Sequence, residues 1–282
     1  MKQIILLPLF FFMILTTTIS KAEIYPVNLT VDHDHKEQGQ FFVVTLTGAN
    51  REPALWFNRQ CYRMFLQSKN LWRALVPVEN FTLPGSYSIL VRSDADEEQI
   101  PVTVTPNNRP LQQIALDSSK ASLKATDIEK SRVKAALHCE SQKKLFSGLF
   151  LRPTIGETTS LFGVKRSYNG GPVESYHKGL DISAPEGTPV TSTAKGVVIL
   201  TGTVEEGFQV HGNTVIIDHG QGLSSVYLHL SAITAHEGQL VEAGEVIGKV
   251  GHTGISTAPH LHWGTYLYGT SVDPELFEGK SF

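Results

Sequence analysis

Cysteine is nearly absent: Cys61 and Cys139 are the only two in 282 residues. A disulfide-stapled fold is thereby excluded, and at most one bridge can form. An excess of one charge is also missing. Lys and Arg number 24 against 27 Asp and Glu, a formal net charge of −3. That balance offers no basic footprint for nucleic acid and no electrostatic anchor for an anionic surface. Long apolar runs are absent after the first residues, and none reaches the ~20 residues that a membrane-spanning helix needs. What the chain does have is glycine, 24 residues of it, punctuating short apolar segments as turns do.

The beginning of the chain reads as an export signal. Met1-Lys2 is a short basic start, Ile4 to Leu15 is apolar except for Pro8, and Ser20-Lys21-Ala22 places small residues at −3 and −1. A signal peptide over residues 1–22, cleaved after Ala22, is expected. An uncleaved anchor is the alternative, but its apolar run is short. Loss of Lys2 and Lys21 would move the formal charge from −3 to −5. The expected product is exported, periplasmic or secreted, with no stable membrane span. Export permits a Cys61–Cys139 disulfide; two free thiols are equally compatible with the sequence.

The rest divides by composition, and a mainly β protein is expected. Over 23–105, alternation recurs at Val27/Leu29/Val31, Phe42/Val44/Leu46, Tyr87/Ile89/Val91 and Ile100/Val102/Val104. Turn signals separate these runs, as in an N-terminal immunoglobulin-like β-sandwich, with any other small β-domain as the alternative. Residues 106–148 are expected to form a helical connector: Thr126 and Glu129 stand at capping-box spacing, followed by Ile128, Val133, Ala136 and Leu137. Over 149–282, strand-like segments between Gly, Asn and Asp turns suggest a C-terminal antiparallel β domain.

Two short strings in that last segment carry the chemistry. His177-Lys178-Gly179-Leu180-Asp181 and His260-Leu261-His262 hold three good zinc ligands and a spare imidazole. Zinc accepts neutral imidazole and carboxylate, and a catalytic zinc keeps three protein ligands and an open position. Residues two apart in a strand share a face, so His260 and His262 look into one cleft with Leu261 behind them. One can bind metal while the other handles protons. In Leu223–Leu230, alternation puts Val226, Leu228 and Leu230 on one face, and Tyr227 and His229 on the other, toward a polar cleft.

These residues together resemble the lysostaphin-type zinc endopeptidases of bacterial cell walls. The likeness covers roughly residues 149–275. It extends to Ser160-Leu161-Phe162-Gly163, Gly187-Thr188-Pro189-Val190, Ala194-Lys195-Gly196-Val197-Val198, Gly244-Glu245-Val246-Ile247-Gly248 and Gly251-His252-Thr253-Gly254. Ala258 is a departure, standing where the family usually has Gly. The resemblance implies a metallopeptidase domain with one zinc per chain held by His177, Asp181 and His262. His229 and His260 would be catalytic and not ligands, with His260 taking the larger share of base work. It implies a zinc metalloendopeptidase that cuts peptide cross-links of peptidoglycan, D-Ala–diaminopimelate bridges among them, with peptidoglycan peptide stems as its partner.

The competing readings are specific. A helical H-E-x-x-H is absent, as is the six-residue His-to-Asp spacing of the D-Ala-D-Ala carboxypeptidase-like zinc enzymes. His33-Asp34-His35 reads as a solvated turn. His138, His211, His219, His236 and His252 read as packing, turn or surface residues. A non-catalytic wall-binding or amidase-activating protein on the same scaffold is the alternative function, but such members have typically lost ligands and all five positions are present here. The β-domain and connector carry no catalytic residues. They are expected to restrict the cleft, with 109–148 laid across its mouth, or else to target the protein.

Overall fold

The computed structural model describes residues 26–93, 96–173 and 175–282. The expected signal peptide lies outside these. No helix among the described residues is long and apolar enough to cross a membrane.

The chain is mainly β, and its N-terminal part is two facing sheets. Asn28–Val31, Phe41–Thr47, Leu71–Pro77 and Phe65–Ser68 pair in that order. His35–Glu37, Asp96–Thr105, Gly85–Ser93, Ala54–Phe57 and Gln60–Arg63 make the second sheet. Alternation decides the inner faces: Phe42, Val44 and Leu46 are fully buried, opposed by Leu55, Phe57, Ile89, Val91, Val102 and Val104. Phe42 meets Phe57 edge-on at 5.7 Å across the gap. His35 does not sit in a turn: it opens a short strand pairing in parallel with Thr103–Thr105. Backbone pairing alone makes that strand, since its side chains stay largely exposed and leave no alternation to read.

Within 106–148 the structure holds more than a helix. Leu111–Ile114 is a strand, followed by the short helix Ser118–Ala121 and the helix Asp127–Leu137. The capping box is present: the Thr126 hydroxyl accepts from the Glu129 N–H, and the Glu129 carboxylate accepts from the Thr126 N–H. Of the residues expected on the apolar face, Ala136 is buried and Val133 and Leu137 half-buried, but Ile128 is exposed. Glu129 takes the buried place instead, at 0% exposure. Cys61 is exposed, Cys139 half-buried, and neither is paired.

The C-terminal half centres on an eight-stranded sheet. Its main path runs Glu157–Ser160, Leu180–Ser183, His260–Leu267, Leu223–Leu230, Asn213–Gly220, Gly196–Gly202, Leu240–Val241, and Thr270–Val272 pairs with His260–Leu267. Every pairing in it is antiparallel. Leu180, Ile182, Tyr227, Leu261 and Trp263 pack beneath it. On the other face, Val226 and Leu228 share an apolar cluster with Leu200, Phe208, Ile216, Tyr266 and Ala136 of the helix Asp127–Leu137. A small mixed sheet flanks these layers: Leu111–Ile114 runs parallel to Lys165–Tyr168, which pairs with Ser175–Tyr176. The stretch 106–148 thus supplies a strand to a sheet of the C-terminal half.

The two halves share one apolar core. Phe41 of the sandwich stacks on Phe277 at 5.1 Å, and Tyr62 meets Tyr268 edge-on at 5.3 Å. The Tyr268 hydroxyl donates to the Arg63 carbonyl at 2.8 Å.

Candidate metal centre

Strand register brings the two motifs together. Asp181 lies directly opposite His262, flanked by the Leu180–Trp263 and Ile182–Leu261 pairs. Cross-strand partners share a face. Asp181 and His262 therefore project to one side while Leu180, Ile182, Leu261 and Trp263 fill the core. His177 stands just before this strand, held by two backbone bonds: its N–H donates to the Val164 carbonyl and its carbonyl accepts from the Gly163 N–H, each at 2.8 Å. The chain then turns through Gly179, where a Cβ would come within 2.4 Å of the Trp263 carbonyl oxygen and 2.8 Å of His262 Nε2. Only glycine fits so close to a functional imidazole.

The outcome is a tight triangle of donor atoms. His177 Nε2 lies 2.9 Å from His262 Nδ1 and 2.9 Å from Asp181 Oδ1, and His262 Nδ1 lies 3.0 Å from the same oxygen. Proton bookkeeping tests whether a cation fits. His177 Nδ1 faces the Leu161 carbonyl at 2.9 Å. A carbonyl only accepts, so Nδ1 carries the proton and Nε2 a lone pair. That lone pair points at a carboxylate oxygen, and two electron-rich atoms at this distance repel unless a cation lies between them. The triangle's edges are close to the ~3.3 Å expected between ligands of a tetrahedral zinc with bonds of about 2.0–2.1 Å. The donor set fits a divalent metal. Among the described residues this is the one cluster of metal-ligating side chains with such geometry.

Charge is arranged around the triangle. Arg166, on Lys165–Tyr168, donates from Nη2 to Asp181 Oδ2 at 2.8 Å. Oδ2 is thereby occupied and Oδ1 left to the cluster. Burial alone would raise the Asp181 carboxyl, but the adjoining His177 and His262 outweigh it and hold it well below the usual carboxylate range. Burial lowers both imidazoles, His262 to about 4. Neutral imidazole is the form that binds metal.

Two further histidines face this cluster. The His229 ring centroid is 5.0 Å from that of His260 and 6.2 Å from that of His262. His260 Nε2 lies 3.6 Å from Asp181 Oδ1. His229 Nδ1 donates to the Thr253 carbonyl at 2.9 Å, and His260 Nδ1 to the Ala258 carbonyl at 2.8 Å. Both therefore carry Nδ1–H and offer a bare Nε2. Burial, with the neighbouring His260 and His262, keeps the His229 pKa well below its ordinary value.

His229 reaches this place by a route that alternation does not show. Leu228 pairs with His262 and Tyr227 with Trp263, so Leu228 faces the cleft and Tyr227 the core. The expected faces of Val226, Tyr227 and Leu228 are reversed. Regular alternation would send His229 after Tyr227, but its φ of +64° turns the ring to the cleft, and Leu230 rejoins the core with Tyr227. All eight residues of this strand are buried, and on the cleft side Val226 and Leu228 belong to an apolar cluster with Phe208, Ile216 and Tyr266.

The cleft encloses about 620 Å³. One wall is the mixed sheet, presenting Arg166, Tyr168 and Tyr176; the opposite wall is the loop at Val210 and His211 with Ile255. Leu116, Lys120 and Ala121 line it too. Lys120 donates to the Gly254 carbonyl at 2.6 Å, and the Leu116 N–H to Asn169 Oδ1 at 2.8 Å. The segment around Ser118–Ala121 is therefore tied to both walls. Arg166, Lys120 and His211 escaped sequence reading. His211 stands in the sequence among packing, turn or surface histidines, and no motif marks the other two.

Comparison with known proteins places this geometry. The model of peptidase family M23 matches residues 175–274. A DD-carboxypeptidase/endopeptidase Mpg of Neisseria meningitidis serogroup B is 47% identical over 98 residues, 35% of this chain. The peptidoglycan DD-endopeptidase ShyA of Vibrio cholerae is 41% identical over 97 residues, 34% of this chain. The matched segment spans 22% of the length of each of these relatives. A crystal structure of a Pseudomonas aeruginosa chain assigned to peptidase M23 superposes with a TM-score of 0.65 at 31% identity, covering 86% of this chain and 94% of that one.

Proposed function

The chain belongs to peptidase family M23, and from that premise we propose that it is an exported zinc endopeptidase that hydrolyses peptide cross-links of peptidoglycan, D-Ala–diaminopimelate bridges in particular. The observation that carries this reading is the His177–Asp181–His262 triangle with two bare imidazole nitrogens beside it. The names of its relatives support the substrate class. The zinc would be held by His177 Nε2, Asp181 Oδ1 and His262 Nδ1. When bound it would supply Lewis acidity, polarising a scissile carbonyl and bringing the pKa of a water toward about 7.

The protein's own groups do the rest. Arg166 fixes the Asp181 carboxylate so that one oxygen faces the site. His260 Nε2, near Asp181, takes the proton of the attacking water. His229 Nε2, bare and on the other side, accepts a hydrogen bond from that water and orients it, and the proton that His260 takes passes on to the leaving amine. The Nδ1–H of each ring is pinned to a backbone carbonyl, so neither need search for its tautomer. The 620 Å³ cleft, walled by Tyr168 and Tyr176, accommodates a peptide stem and limits water around the scissile bond.

Metal analysis of the purified protein, followed by sacculus digestion with identification of the products, tests the proposal. Asp181→Ala should lose both zinc and digestion. His229→Ala and His260→Ala should keep zinc and lose about 10²–10⁴-fold in rate. Stoichiometric zinc with full activity in Asp181→Ala would overturn the ligand set, and intact sacculi with a fully loaded protein would overturn the substrate.

A further inference from the structure

We propose that Glu129, on the helix Asp127–Leu137 and outside the sequence that carries the metal motifs, is a positioning residue for His229. The inference rests on the reading of His229 as a catalytic group. Glu129 is fully buried, and a helix cap alone does not require that. Its carboxylate accepts from the backbone N–H of Gln209 at 3.1 Å, of Val210 at 3.1 Å and of His211 at 2.7 Å, and from His211 Nδ1 at 2.5 Å. A buried carboxylate is tolerated only when its lone pairs are met. Here they are met by three successive amides of a loop some eighty positions away in sequence. The helix thus reaches across to hold that loop in one shape.

The loop in turn holds His229. The His211 carbonyl accepts from the His229 N–H at 3.0 Å, and the Val210 carbonyl accepts from the Ile255 N–H at 2.9 Å. The Asn213 N–H donates to Thr253 Oγ1 at 2.9 Å, and the Thr253 carbonyl accepts from His229 Nδ1. Backbone and ring of His229 are both seated by the paired loops 209–213 and 253–255. Each loop is gripped by the segment before Phe146: Glu129 on the first, Lys120 on Gly254 of the second. The seat has work to do, because a non-glycine residue in the left-handed region is held there against a steric cost. Released, His229 would relax toward regular strand geometry, which turns its ring toward the core side of the sheet with Tyr227.

The test uses the full-length, zinc-loaded protein. Glu129→Gln and Glu129→Asp both preserve the helix start; the first removes the charge and the second withdraws the carboxylate from the loop. Each should retain zinc and KM while kcat falls by about 10²-fold, the scale of a misplaced catalytic group. In a His229→Ala background the same substitutions should lower kcat no further, because groups acting as a unit are non-additive. Hydrogen exchange of the His229 amide should accelerate about tenfold or more relative to Leu261 and Trp263, as expected when one local bond opens without global unfolding. An equal loss of kcat in both backgrounds, or an unchanged His229 exchange rate, would overturn the proposal. If His229→Ala itself keeps the wild-type rate, the catalytic reading of His229 fails, and the exchange comparison alone decides whether Glu129 positions it.

Discussion

Arg166 shows how much a single side chain can settle. Its guanidinium meets the Asp181 oxygen that does not face His177 and His262, and so decides that the carboxylate offers one atom to the cluster and not two. Arg166→Gln keeps a hydrogen-bond donor but drops the charge. It should weaken zinc affinity by about 10–100-fold, the usual effect of losing a partner behind a metal ligand, with the fold intact. Competition against a chelator measures this directly, and unchanged affinity would show that the carboxylate needs no such restraint. The His177, Asp181 and His262 cluster was legible because metal chemistry restricts such donors to few types at short spacings. Arg166 was not, since its relation to Asp181 depends on how Lys165–Tyr168 packs beside Leu180–Ser183. Glu129 was legible as a cap but not as a support for the loop around His211, for the same reason.

Among elements, the helix Asp127–Leu137 carries the most consequence. Thr126 caps it, and its hydroxyl also donates to the Gly207 carbonyl at 2.9 Å, just before the loop that Glu129 holds. Thr126→Ala should cost about 1 kcal/mol for the cap, lowering Tm by a few degrees, with a rate loss much smaller than that of Glu129→Gln. A rate loss as large as that of Glu129→Gln would mean that the helix acts through its start and not through the carboxylate. The sequence announced this helix through its capping box, and the sandwich strands through their alternation. The strand Leu111–Ile114 went unseen, because its burial alternates weakly and Leu111 is exposed. The faces of Val226, Tyr227 and Leu228 were misassigned for a different reason: periodicity assumes a regular backbone, and the left-handed residue at His229 breaks it.

For the whole molecule, the decisive fact is the absence of a seam. The sandwich ends on Phe41 and Tyr62, and the C-terminal half ends on Phe277 and Tyr268, in one apolar cluster. The segment before Phe146 lines the cleft through Leu116, Lys120 and Ala121 and also holds the loops at His211 and Gly254, so removing it should alter cleft and loops together. Phe277→Ala should destabilise both halves by about 3–5 kcal/mol in one cooperative transition. Fluorescence can follow this, since Trp56 and Trp72 report on the sandwich and Trp263 on the central sheet. Sandwich tryptophans that melt at the wild-type temperature in this variant would show that the halves fold apart.

That shared cluster also sets an order in time. Phe41 leaves the ribosome long before Phe277, so the sandwich stands with an apolar face bare until that residue arrives. Contacts so distant along the chain close late, and a half-built intermediate with exposed apolar surface is prone to aggregate. His262, too, comes only shortly before Phe277. The segment from His262 to Phe277 completes the His–Asp–His cluster and covers the sandwich together, so a chain that stops before it has neither the full donor set nor a closed core.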